Sequence, residues 1–100
     1  MDETPPIRRV PAPKMWMYYV YIIKSLKNDF KYTGYSADLK KRLDHHNSGA
    51  NKSTAGHRPF RIIYYEAYAG ESDARRREKF LKSGRGRDII KKQIEESLRV

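Results

Sequence analysis

The chain of 100 residues has no cysteine, which excludes disulfides and thiolate-bound zinc or iron–sulfur centres. Acid is also scarce: 12 Asp plus Glu stand against 22 Lys plus Arg, a formal charge of +10. That excess, on a body with room for one domain and one modest core, favours polyanionic partners, nucleic acid first. Long apolar runs are missing as well. The longest, Met15 to Ile23, is too short to span a membrane. It is rich in tyrosine and is followed by Lys24-Ser25-Leu26-Lys27, which offers no small-residue cleavage site. A buried strand in a cytoplasmic protein is the expectation. Proline is confined almost entirely to the start, with four of five at positions 5, 6, 11 and 13. Residues 1–14 are therefore expected to be a disordered proline-rich leader, and residues 15–100 one domain without internal repeats.

What the chain does have is aromatic side chains at strand spacing. Five of the eight tyrosines lie between positions 18 and 35. From Met17 to Ile23 both alternating faces are apolar: Tyr19, Tyr21 and Ile23 on one, Tyr18, Val20 and Ile22 on the other. A strand covered on both sides reads this way. Lys24 to Asp29 reads as a turn, and Phe30 to Gly34 as the returning strand, with Phe30, Tyr32 and Gly34 on one face. Ser36 is the expected cap of a basic helix whose core stripe is Leu39 and Leu43, and Asn47-Ser48-Gly49 stops it. A polar loop over Ala50 to Gly56 leads to a third strand, Pro59 to Tyr68. Ser72 is the expected cap of a second helix to about Lys82. Ser83 to Arg87 reads as a flexible basic loop, and Ile90, Ile94 and Leu98 mark a last amphipathic helix. The order β-β-α-β-α-α describes an α+β fold, a small three-stranded antiparallel sheet flanked by helices.

Within that frame few side chains are placed for chemistry. Tyr21 and Tyr32 fall on neighbouring strands and meet within about 5–8 Å if their faces match. A phenol serves as general base only if its pKa is drawn well below ~10, which Arg42, Lys31 or a bound metal ion would do. Arg42, between Leu39 and Leu43 in sequence, flanks their stripe in projection, so it emerges at the edge of the core, where a guanidinium can clamp a phosphate. His46, four residues on, can shuttle a proton or bind phosphate, although a lone histidine at a helix end more often does neither. Glu78 sits at a core boundary. It is open to an ion pair with Arg75 or Lys82, or to service as a ligand for one hydrated Mg²⁺ or Mn²⁺. Glu66 reads as an ordinary strand-end residue. Lys31, Lys41, Arg76, Lys82, Arg85 and Arg87 are candidate phosphate contacts, which give affinity without base specificity. No nucleotide-cofactor fingerprint is present.

Tyr19-Val20-Tyr21, Tyr32-Thr33-Gly34, then Asp38 to Arg42, His46-Asn47 and Glu78 within Arg-Arg-Arg-Glu-Lys together resemble the motifs of the GIY-YIG nucleases, most of all the small stand-alone bacterial proteins. The resemblance covers about residues 17–92 and implies hydrolysis of DNA phosphodiester bonds with one divalent ion, in repair or in processing of branched or nicked DNA. By position it implies that Tyr21 or Tyr32 activates water, Arg42 holds the scissile phosphate, His46 assists proton movement, Glu78 holds Mg²⁺ or Mn²⁺, and Gly34 leaves room for substrate. DNA is the expected partner, RNA the next polyanion the charge would fit, with specificity supplied by nucleic-acid shape or a partner protein. Tyr19 replaces the first glycine and Thr33 the isoleucine, and no asparagine follows Asn51, where nuclease members often use one. The second reading is therefore a nucleic-acid-binding module with this fold and little turnover.

Overall fold

The computed structural model describes residues 16–100; the expected leader at 1–14 lies outside the described residues. Eight elements follow in order: β1 Tyr18–Ser25, β2 Lys31–Ser36, α1 Leu39–Asn47, α2 Lys52–Ala55, β3 Phe60–Tyr68, α3 Glu71–Lys82, α4 Gly84–Gln93 and α5 Glu95–Leu98. The doubly apolar β1 is the central strand, in the order β2-β1-β3, and it runs antiparallel to both neighbours. Its alternation sorts two cores. Val20 and Ile22 pack with Ala74 and Leu81 of α3, Ile90 of α4 and Ile94. Tyr21 and Ile23 pack on the other face with Phe60, Leu39 and Leu43. Both faces are buried because both are covered by helices, which explains why the strand carries almost no polar side chain.

The hairpin turn is tied by side chains. Ser25 Oγ accepts from the Lys27 and Asn28 amides, and Asn28 Oδ1 accepts from the Phe30 amide. Among the described residues, no helix is long and apolar enough to cross a membrane.

Several local expectations are corrected. Ser36 completes β2; Asp38 caps α1 instead, its carboxylate accepting from the Lys41 amide. Gly70, not Ser72, precedes α3, and it offers no side-chain cap. The polar loop contains the one-turn helix α2, capped by Asn51. The supposed flexible loop at Ser83 to Arg87 is the first turn of α4: Ser83 ends α3 and its Oγ accepts from the Gly86 amide. Gly86 is buried so tightly that a Cβ there would lie 1.9 Å from the Phe80 carbonyl oxygen. The last amphipathic stretch breaks at Ile94 into α4 and α5.

Glu66 is no ordinary strand end. It accepts from the hydroxyls of Tyr64 and Tyr68 and from two nitrogens of Arg77, at 2.9 Å from each of Nε and Nη2. Burial alone would raise its pKa, but these hydrogen bonds outweigh it and hold the carboxyl low. The cluster clamps β3 to α3.

Candidate active site

The site is assembled around Tyr21. Strand register sets Gly34 of β2 directly beside it, and the ring uses that space: a Cβ on Gly34 would fall 2.3 Å from the Tyr21 hydroxyl oxygen. Gly34 thus makes room for the phenol. Tyr32 lies on the same face, its ring centroid 6.4 Å from that of Tyr21. Helix α1 closes over this face on Leu39 and Leu43, and its last turn brings His46 inward.

His46 is fully buried. Its Nε2 is hydrogen-bonded to the Tyr21 hydroxyl at 2.8 Å and its Nδ1 to the Thr54 hydroxyl at 2.9 Å. The imidazole ring is 5.1 Å from the Tyr32 ring. Burial first, then the charge of Arg42 and the neighbour His45, hold its pKa below the ordinary histidine value. Its neutral form is thereby favoured. Arg42, one turn earlier on α1, is exposed, with its guanidinium directed at the Tyr21 hydroxyl. Burial and the neighbouring Tyr32 nevertheless raise the Tyr21 pKa, and Arg42 offsets only part of this. The expected lowering is not seen. A neutral phenol in this setting becomes a base only when its proton has an acceptor or a further cation is added.

Glu78 reaches the same neighbourhood from α3. Its charge is felt at Tyr21. It pairs with Lys82 at 3.1 Å, and Lys82 Nζ stands 5.4 Å from the centre of the Tyr32 ring. Of the two alternatives for Glu78, the ion pair is present. The pair is an i,i+4 contact between a half-buried carboxylate and an exposed lysine, and such pairs hold weakly, so the carboxylate can exchange partners. Among the described residues, no three His, Asp or Glu side chains converge on one point. The donor set does not fit a dehydrated cage. It fits one hard cation that keeps most of its waters and takes a single carboxylate.

The candidate phosphate contacts are not all brought together. Lys31, Lys82 and Arg87 line one groove of about 710 Å³ with Lys91, over a floor that includes Ile22, Leu81 and Ile90. The groove abuts the site through Tyr32 and Lys82. Arg76 lies about 200° around α3 from Glu78 and is paired with Asp73. Lys41 and Arg85 are exposed and are not part of the groove lining.

Two residues at the site escaped sequence reasoning. Thr54 is fully buried against His46. Its only advance signal was Asn51, a good N-cap residue three positions earlier. Tyr65 is the direct β3 partner of Tyr21 and makes an edge-on pair with Tyr19 at 5.9 Å.

The family model described as "GIY-YIG catalytic domain" matches residues 17–92. The chain belongs to the GIY-YIG family. This is a nuclease-like family, and the matched segment holds every site residue described above. UPF0213 protein CPE1444 of Clostridium perfringens is 39% identical over 67 residues, covering 66% of this chain and 71% of that protein. UPF0213 protein SH2523 of Staphylococcus haemolyticus is 39% identical over 70 residues, covering 69% and 84%. The solution structure of UPF0213 protein BH0048 from Bacillus halodurans is 34% identical, with a TM-score of 0.46, covering 74% of this chain and 81% of that one.

Proposed function

We propose that this GIY-YIG protein is a divalent-metal-dependent DNA endonuclease that hydrolyses phosphodiester bonds in branched or nicked DNA, within the cytoplasm. The observation that carries the reading is the Tyr21–His46 hydrogen bond of 2.8 Å, with Arg42 beside the same hydroxyl. Hydrolysis needs a base for water, a cation for the phosphate and a sink for the base's proton. His46 Nε2 is within reach of the phenolic proton, Arg42 neutralises charge on both the phenolate and the scissile phosphate, and Tyr32 closes the other side. Mg²⁺ or Mn²⁺ held by Glu78 would supply Lewis acidity at the phosphate and charge neutralisation at the leaving oxygen. Lys31, Lys82 and Arg87 would take flanking phosphates.

The test is cleavage of nicked, flapped and branched DNA in Mg²⁺ or Mn²⁺. Tyr21→Phe is expected to lower the rate about 10²–10⁴-fold, and Arg42→Ala about 10²–10³-fold. Equal rates for wild type and both variants on every substrate would refute the assignment.

The missing late asparagine favours a second reading, a binding module with little turnover. It expects DNA affinity to fall steeply between about 50 and 200 mM salt while no substrate is cleaved. Affinity that stays flat over that range would remove this reading.

A further inference from the structure

We propose that Thr54 is a positioning residue that fixes the tautomer of His46, leaving Nε2 unprotonated and aimed at the Tyr21 hydroxyl. The inference deepens the proposed hydrolytic role of Tyr21 and His46, but the tautomer can be measured without any activity.

Two sets of contacts lead to the same proton placement. The first runs from Thr54. Its hydroxyl has one hydrogen, and Oγ1 donates it to the Asn51 carbonyl at 3.3 Å. A carbonyl only accepts, so toward His46 Nδ1, at 2.9 Å, the threonine oxygen is the acceptor. Nδ1 therefore carries the hydrogen. A neutral imidazole has one N–H, so Nε2 carries the lone pair. The second runs from Tyr21. Two charged groups act on its hydroxyl, Arg42 and Glu78; a guanidinium has donors and no acceptor, and the Glu78 carboxylate, paired with Lys82, makes no hydrogen bond to it. His46 is the one hydrogen-bond partner of that hydroxyl with a site able to accept, among the described residues. Were Nε2 protonated, the buried phenolic proton would have no acceptor there, an arrangement that costs free energy.

The result is a one-way chain of donors: Tyr21 to His46, His46 to Thr54, Thr54 to the Asn51 carbonyl. When the Tyr21 O–H bond breaks, Nε2 takes that proton. The imidazolium keeps Nδ1–H on Thr54, and the phenolate remains beside Arg42, so charge and protons balance. Thr54 is held for this by α2. The Asn51 side chain accepts from the Ser53 amide, and the Asn51 carbonyl accepts from the Thr54 and Ala55 amides. Thr54, like His46, is fully buried, so water does not compete for Nδ1.

The experiment is ¹⁵N NMR of the full chain at neutral pH with labelled histidine, on wild type, Thr54→Ser and Thr54→Val. Wild type is expected to show His46 as the Nδ1–H tautomer, Thr54→Ser to keep it, and Thr54→Val, which loses the acceptor but little volume, to shift population toward Nε2–H. DNA hydrolysis is expected to be retained by Thr54→Ser and lowered about 10–100-fold in Thr54→Val, the range for outer partners that orient a histidine. An Nε2–H tautomer in wild type overturns the proposal, and this reading stands even if Thr54→Val does not fold. An unchanged tautomer in folded Thr54→Val also overturns it. A wild type with the expected tautomer and no cleavage of any DNA counts against the nuclease reading and leaves the role of Thr54 in setting the tautomer supported.

Discussion

Tyr21 is defined by what surrounds one hydroxyl: no side chain on Gly34, a ring nitrogen of His46, a charge on Arg42. Each of the three can be removed separately. Gly34→Ala would set a Cβ 2.3 Å from the phenolic oxygen. The ring must swing away, so the variant is expected to lose stability by about 1–3 kcal/mol and to lose cleavage. A variant with unchanged urea midpoint and activity would show that the ring does not depend on this space. His46 has a readable acid signature. An unfolded histidine takes its proton near pH ~6.5, whereas folded His46 resists it because of burial, Arg42 and His45. Below that pH the unfolded chain binds the extra proton, so this stability is present above about pH 6.5 and lost as the pH falls. The urea midpoint of wild type should therefore drop between about pH 7 and pH 5 more than that of His46→Gln; parallel curves would contradict this.

At the scale of elements, the strands were legible and the short helices were not. The apolar run Val20 to Ile23 is buried continuously; its β-branched and aromatic residues and the turn after it marked a strand, and strand alternation correctly sorted Tyr18 from Tyr21. Leu39 and Leu43 likewise marked the buried side of α1. Helix α2 has only four residues, too few for a periodic signal, and it rests on the Asn51 cap. The polar reading of Ser83 to Arg87 failed because two glycines suggested freedom. One of them is instead a packing requirement that only the path of α3 reveals. Gly86→Ala would drive a Cβ into the Phe80 backbone at 1.9 Å, while at Gly84 nothing lies within 4 Å. Gly86→Ala is expected to destabilise by at least about 1–3 kcal/mol, and Gly84→Ala to stabilise by about 0.4–1 kcal/mol. Equal urea midpoints for the two variants would contradict the α3–α4 packing. Thr54 escaped for a related reason, since the sequence did not show that α2 folds back onto the end of α1.

At the scale of the whole molecule, sequence placed five side chains from three distant segments at one site. Tyr21, Tyr32, Arg42 and His46 meet closely. Glu78 joins them through its charge and through Lys82 at the edge of Tyr32. Part of the basic excess lies at this site and in the groove of Lys31, Lys82, Arg87 and Lys91, while Arg76 is turned to Asp73. A +10 surface by itself would bind DNA without cutting it. What separates the two readings is whether the carboxylate of Glu78 is needed for turnover. The most direct measurement is the single-turnover cleavage rate of nicked and branched DNA across a Mn²⁺ titration, for wild type and Glu78→Gln in parallel. Metal-dependent cleavage by wild type, with Glu78→Gln bound to the same DNA but slowed by about 10²-fold or more, is the expected result. Identical rates for the two proteins at every metal concentration would contradict it.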